Sequence, residues 1–409
     1  MSEPLVIIGN GMATMRLVEE LSRRALGRYA IAVVGEEPRL AYNRVLLSSV
    51  LAREVSHGDV ELKSAQWWRA HGVTLMYGQR ATAIDADIRR VRLANGATLP
   101  FTKLVLATGS RAIRLNVPGM DLPGVMTFRD LADVASIEKA AETRRKAVVI
   151  GGGLLGLEAA YGLAKAGLRV SVIHLMDRLM ERQLDARASA MLKTALEARG
   201  IAVLLEAETA AIKGHHRTEA VVLQDGREIE ADLVVVAAGI RANADLAQSA
   251  GLEIGRGIAV DDHMQASKAG IYAIGECAEH RGICYGLVEP AYEQARVLAS
   301  HLCGEEARYA GSVLATNLKV SGVNVFSAGD FIGAPGTEAI VLTDPGLGTY
   351  KKLVIADGKL VGAVLFGDTG DGLWYLDLIR SGASIEAIRD DLMFGRALAE
   401  RAHPKDLAA

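Results

Sequence analysis

Gly151, Gly153 and Gly156 stand in G-x-G-x-x-G spacing, directly after the apolar residues 147–150 and directly before Leu154 and Leu155. In such a turn the first glycine permits a tight reversal. The second lets backbone approach a pyrophosphate, and the third lets the helix close on its strand. Phosphate oxygens then meet the unpaired N–H groups of Leu154 and its neighbours, at the positive end of that helix. A second copy lies at the N-terminus in the stretch Leu5–Thr14, where Gly9 and Gly11 supply the first two glycines. Met12 and Ala13 follow as the residues whose N–H groups would face phosphate, and Thr14 holds the third position. A threonine there is expected to pack only if the helix stands slightly further off its strand. The chemistry these residue types imply is the binding of two dinucleotides.

Other candidates are placed around the two turns. Glu36 ends the apolar run 30–36, 27 residues beyond Gly9, where an acid can accept hydrogen bonds from both hydroxyls of a ribose. Its plain alternative is a solvated charge at a strand end. Arg44 falls where a chain beside a dinucleotide could neutralise pyrophosphate; a surface charge explains it equally well. Ala107, Thr108, Gly109 and Ser110 form a small turn closing the strand 103–107, able to bring backbone close to a bound group. Gly239 ends the equivalent run 233–239, and Gly275 with Glu276 ends 271–276. His174 closes the strand 169–174, where an acid would accept the ribose hydroxyls of a bound dinucleotide. A neutral imidazole cannot act as that carboxylate, and Arg178 nearby keeps a 2′-phosphate in play. The nine histidines are otherwise scattered, with His215 and His216 in a loop, and no His–acid constellation for proton transfer is apparent.

The order strand, glycine turn, helix, strand, β-excursion, strand, small turn occurs twice, over 5–110 and 147–240, which reads as an internal duplication. Helices are expected over 131–143, 154–166, 185–199 and 290–302. The last hundred residues change character, with short strands at 318–320 and 323–327. A hairpin pairs 350–356 with 359–366 across Asp357-Gly358. The fold class expected is α/β: two Rossmann-like domains of three-layer β-β-α topology plus a C-terminal α+β domain. Their boundaries are read as 1–115 and 243–310 for the first domain, 116–242 for the second and 311–409 for the third. With 409 residues, half of them hydrophobic, two or three cores are expected. A net charge of −3 without a long basic run argues against nucleic acid. Three cysteines without a C-x-x-C pair argue for a reducing compartment and against an iron–sulfur or zinc site within the chain. No leader and no apolar run near the ~18 residues that span a bilayer are visible, so a cytoplasmic protein without membrane contact is expected.

Taken together, the two glycine turns, Ala107-Thr108-Gly109 and Gly275-Glu276-Cys277 resemble the two-dinucleotide-binding-domain flavoproteins, the pyridine nucleotide–disulfide oxidoreductase superfamily. Several stretches are more particular: Tyr42-Asn-Arg-Val-Leu-Leu-Ser48, residues 174–185, residues 275–282 and residues 318–330. They are similar to the flavin-containing N-terminal part of the NADH-dependent assimilatory nitrite reductase large subunit. The resemblance implies FAD on Gly9, Gly11, Glu36, Arg44 and the Thr108–Gly109 turn, with Glu276 on the ribityl chain. It implies NADH on Gly151, Gly153 and Gly156, with NADPH not excluded, Glu158 near the nicotinamide and Gly239 flanking the nucleotide. Redox-active cysteines near residue 45, an iron–sulfur segment and a sirohaem domain have no counterpart in this sequence. The expected activity is therefore electron transfer from NADH through FAD to a separate haem, iron–sulfur or molybdenum protein in nitrate or nitrite assimilation. A ferredoxin or rubredoxin reductase feeding an oxygenase is the alternative, and a non-catalytic redox sensor is the second class. A homodimer stays open, and the third domain, including Trp374-Tyr375, is the expected flavin cover and partner contact.

Overall fold

The computed structural model describes residues 2–25, 27–320 and 322–402. Ser321, inside the 318–330 stretch, lies outside them. Two compact units emerge. One takes the chain up to Ile113, then Arg129–Leu131 and Ile240–Ser312; the other takes Arg114–Phe128, Ala132–Gly239 and the chain from Val313 onward.

In the first unit a five-stranded parallel sheet runs in the order Ile271–Ala273, Lys103–Leu106, Glu3–Ile8, Tyr29–Gly35, Thr74–Tyr77. Its central strand is apolar on both faces, because both faces are covered. Leu5 and Ile7 turn to one side, where they join Leu17, Val18 and Leu21 of the helix Met12–Arg24 and Leu298 and Leu302 of the helix Val288–Cys303. Val6 and Ile8 turn to the other, against Ile84, Val91 and Leu93 of a three-stranded antiparallel sheet. Period-two alternation thus builds helix, parallel sheet and antiparallel sheet in three layers. Each fully buried side chain of this size contributes about 1.5–3 kcal/mol.

The second unit repeats the plan. Its parallel sheet runs Ala202–Leu204, Arg169–Ile173, Lys146–Ile150, Leu233–Val236, Val125–Thr127. Val148, Ile150 and Val234 pack on Ile212, Val221 and Leu223 of the antiparallel meander. The helix Leu154–Lys165 buries Leu157, Ala160 and Leu163. One difference separates the copies. The outermost strand beside the Lys103–Leu106 strand is supplied by chain far downstream, whereas Val125–Thr127 comes from upstream.

Residues beyond 313 form a five-stranded antiparallel sheet, ordered Ala315–Val320, Val323–Gly329, Lys359–Phe366, Thr349–Ala356, Glu338–Asp344. The expected hairpin is present, and Asp357 and Gly358 have φ of 48° and 67°, the two positive values that a tight two-residue turn demands. Strand Glu338–Asp344 escaped the sequence reading. It is an edge strand whose apolar run Ala339–Leu342 has no period-two alternation and stays largely exposed, with no fully buried residue. The expectation for Trp374-Tyr375 is corrected for the tyrosine. Tyr375 is wholly buried, with its hydroxyl donating to the Leu392 carbonyl at 2.8 Å. It is core, with no surface to offer a flavin or a partner.

Candidate cofactor and nucleotide sites

Both glycine turns leave their central strands in the same way. Gly9 and Gly151 have φ of 115° and 129°. A Cβ on Gly9 would fall 2.0 Å from the Ala107 carbonyl oxygen, and one on Gly151 would fall 2.3 Å from that of Ala237. Glycine is compulsory at both, for backbone reasons alone. Gly11 and Gly153 are different. Each precedes a helix with ordinary negative φ, −119° and −81°, and a Cβ at either would meet no protein atom within 4 Å. The fold does not require glycine there. Neither helix has a side-chain cap or an acid in its first turn, so the N–H groups of Met12, Ala13 and Leu154 lie at uncapped positive ends. Space for a side chain, a glycine that declines to fill it and an uncapped helix end together fit a pyrophosphate at each turn.

The third positions part company. Gly156 packs so tightly that a Cβ would sit 2.0 Å from the Gly151 oxygen. Thr14 is fully buried in the equivalent place, and its hydroxyl donates to the Gly9 carbonyl at 2.6 Å. Close helix contact has been replaced there by a hydrogen bond.

Around the first turn the structure gathers most of the candidates. A Cβ on Gly275 would approach that of Ala13 to 3.2 Å, which brings the Gly275–Glu276 turn to the helix end. The Gly275 N–H donates to buried Gln294 at 2.7 Å. Thr108 and Asn243 exchange hydrogen bonds of 2.7 and 3.0 Å, and the Asn243 N–H donates to the Gly109 carbonyl at 2.9 Å, which fixes the small turn. Glu276 accepts from the Ser110 hydroxyl at 2.9 Å and pairs with Arg129. Arg129 in turn offers its carbonyl to Arg44 at 3.1 Å. Arg44 also pairs with Glu37 and lies over the Tyr42 ring, 5.1 Å from its centroid. Burial opposes the Arg44 charge, yet Tyr42, Glu37 and Glu276 hold its pKa above the ordinary value. Burial pushes the Cys277 thiol up, so it is an inert neighbour of this cluster.

Glu36 is the first residue past its strand and is exposed; Glu37, not Glu36, engages Arg44. Arg129 and Asn243 were not singled out from sequence, and Ser110 only as the end of the small turn. Asn243 had a usable signal in its place just beyond the repeated Ala-Gly turn, whereas Arg129 is one arginine in an unremarked crossover.

At the second turn, Glu158 lies on the helix one turn past its start, half-buried. Gly239 follows the strand Leu233–Val236 with φ of 110°. His174 is nearly buried, and its Nδ1 accepts the Gly152 N–H at 3.0 Å, so it buttresses the turn itself.

The chain matches the family described as pyridine nucleotide-disulphide oxidoreductase over residues 3–301, and a rubredoxin NAD+ reductase C-terminal domain over 315–383. It belongs to the pyridine nucleotide–disulphide oxidoreductases. Membership makes it an oxidoreductase and implies that it binds a flavin and NAD(P)H. Among relatives, it is 47% identical to a nitrite reductase [NAD(P)H] of Bacillus subtilis (strain 168), aligning 93% of this chain with 48% of that one. It is 44% identical to an assimilatory nitrate reductase electron transfer subunit of the same organism, over 95% of this chain and 51% of that one. The chain therefore spans about half the length of these relatives. Among solved structures, the NADH:rubredoxin oxidoreductase of Clostridium acetobutylicum superposes with a TM-score of 0.78 at 28% identity, covering 95% and 97% of the two chains. Across its described residues this family member has no helix long and apolar enough to cross a membrane.

Proposed function

We propose that the chain is an FAD-dependent NADH oxidoreductase passing electrons to a separate redox protein, a haem, iron–sulfur or molybdenum partner in nitrate or nitrite reduction. One observation carries the reading. Gly11 and Gly153 are glycines that the fold does not need, each with room for a side chain and each at an uncapped helix end. FAD would be held by Gly9, Gly11, Met12, Ala13, Glu36, Arg44 and the turn Ala107, Thr108, Gly109, with Gly275 and Glu276 toward the ribityl hydroxyls. Arg129 orients Glu276 and shares its charge. NADH would be held by Gly151, Gly153, Leu154, Gly156 and Gly239, with Glu158 near the nicotinamide. When bound, a flavin would supply the redox chemistry, hydride acceptance from a reduced nicotinamide and one-electron release. The protein's work is to hold and orient, and that needs no proton-transfer constellation. We assign 1–115 with 243–310 to flavin binding, 116–242 to the nucleotide and 311–409 to partner contact.

A specific observation favours a second reading, a rubredoxin or ferredoxin reductase. Residues 315–383 match a rubredoxin NAD+ reductase C-terminal domain, and the chain superposes on the clostridial NADH:rubredoxin oxidoreductase with a TM-score of 0.78. Anaerobic stopped-flow absorbance near ~450 nm, with NADH and NADPH in parallel, tests the enzyme reading. Rapid bleaching is expected. Absent flavin, or flavin that neither nucleotide reduces, refutes it and leaves a redox sensor. Reoxidation by purified rubredoxin against a nitrate or nitrite reductase then separates the two partner classes.

A further inference from the structure

Nucleotide-binding turns of this kind commonly discriminate through an acid at the end of the second strand, and His174 leaves that position without one. Both nitrogens of His174 are engaged. Nδ1 accepts the Gly152 N–H, so the ring proton resides on Nε2, which faces Glu181 Oε2 at 3.1 Å. A chain reversal brings that carboxylate in. Met180 adopts a φ of 50° and donates its N–H to the Gly152 carbonyl at 3.0 Å. Leu179 and Met180 are wholly buried and anchor the reversal. Gly152, inside the glycine turn, is thus bound at its N–H by His174 and at its carbonyl by Met180. Glu181 comes next in the chain, with its side chain 25% exposed.

We propose that Glu181, positioned by His174, accepts the ribose hydroxyls of the adenosine half of the nucleotide and selects NADH over NADPH. This rests on reading the second glycine turn as the nicotinamide nucleotide site. A carboxylate offers about four acceptor positions, so the bond from His174 orients Glu181 without exhausting it. A 2′-phosphate would bring about two negative charges toward that carboxylate. Arg178, the sequence candidate for welcoming such a phosphate, faces the exposed Asp177 carboxylate at 3.5 Å. His174 is a positioning residue, and the discriminating contact is made by Glu181.

Isothermal titration of the flavin-loaded protein with ADP-ribose and with 2′-phospho-ADP-ribose tests this without turnover. The wild type is expected to prefer ADP-ribose by at least about tenfold, and Glu181→Gln to reduce that ratio on the order of tenfold. His174→Asn keeps an acceptor for the Gly152 N–H but loses the donor to Glu181, and is expected to reduce the ratio in part. Thermal unfolding of each variant confirms the fold. An unchanged ratio in Glu181→Gln, or a wild type preferring the phosphorylated probe, overturns the inference and leaves the NAD(P)H site standing. A ratio lowered by Glu181→Gln but not by His174→Asn removes His174 from the account. A wild type that binds neither probe overturns the inference and the site reading together.

Discussion

Replacing Gly153 and Gly156 separately by alanine should divide binding from stability, because the two positions are glycine for different reasons. At Gly156 the new Cβ would lie 2.0 Å from the Gly151 carbonyl oxygen and 3.5 Å from the Ala237 Cβ. Reaching ordinary separation requires helix and strand to part by about 1–1.5 Å. The obstacle is backbone, which places the cost near the upper end of the overpacking range, about 3 kcal/mol. Alanine's helix preference offsets about 1 kcal/mol of that. A net loss of about 2 kcal/mol follows, or roughly 4–8 °C in Tm for a unit of this size. At Gly153 the Cβ meets no protein atom, and the loss of a glycine N-cap costs only about 0.5 kcal/mol. That methyl nevertheless occupies the space through which a pyrophosphate would approach the Leu154 N–H. ADP-ribose affinity should fall on the order of tenfold or more while Tm stays within about 2 °C. Differential scanning calorimetry and isothermal titration on both variants decide it. If Gly153→Ala binds ADP-ribose as the wild type does, the nucleotide does not lie on this turn. If Gly156→Ala leaves Tm unchanged, the helix is free to move and the argument from close contact is wrong.

Thr14→Val removes the donor to the partly buried Gly9 carbonyl at constant volume and should cost about 1–2 kcal/mol in urea unfolding; no loss would mean the 2.6 Å bond is incidental. Arg129→Met leaves Glu276 its bond from Ser110 but strips the neighbouring charge, and the protein should lose flavin during gel filtration; full retention would remove Arg129 from the site. Tyr350→Phe deletes a 2.6 Å hydrogen bond to buried Asp185, the N-cap of the helix Ala186–Glu197, and should cost about 1.5–3 kcal/mol; a change under about 0.5 kcal/mol would refute it. The Arg281 guanidinium, then His280, hold the Asp262 carboxyl down at about 2. Its contribution to stability is therefore complete above the ordinary carboxylate range and lost as pH falls through about 2. Asp262→Asn should flatten acid unfolding over that interval, and an unaltered acid limb would contradict it.

The scaffold was legible because its signals are local. Leu5–Ile8 and 147–150 are apolar without interruption, as strands covered on both faces must be, and the glycine spacings occupy a few consecutive residues. Asp357-Gly358 announces its hairpin for the same reason. The cluster around Glu276 was only half legible. Its glycines and its acid mark themselves, but Arg129 reaches Glu276 across 147 positions, and Thr108 meets Asn243 across 135. No periodicity encodes such a pair; it exists because the strand order brings distant turns to one end of a sheet. Glu36 and Glu37 show the limit at single-residue scale. The sequence places an acid at the strand end, and only side-chain geometry reveals that the second of the two engages Arg44.

The two glycine turns also show how a duplicated framework can diverge without losing its shape. Each must satisfy the same backbone groups at the end of a central strand. In the first copy the Gly9 carbonyl is answered by the Thr14 hydroxyl, so the third glycine becomes unnecessary. In the second the helix closes on the Gly151 carbonyl itself, and a side chain at Gly156 is excluded. The second copy then recruits His174 and Met180 to bind Gly152 from both sides, which commits the strand-end position to holding the turn. With His174 in that place the strand end carries no acid to recognise ribose. On the inference drawn above, the acid comes instead from the reversal that follows, and Glu181 is the residue which that reversal delivers to His174. The departure at His174 and the placement of Glu181 are on this argument one structural change, so altering either should be felt at the other.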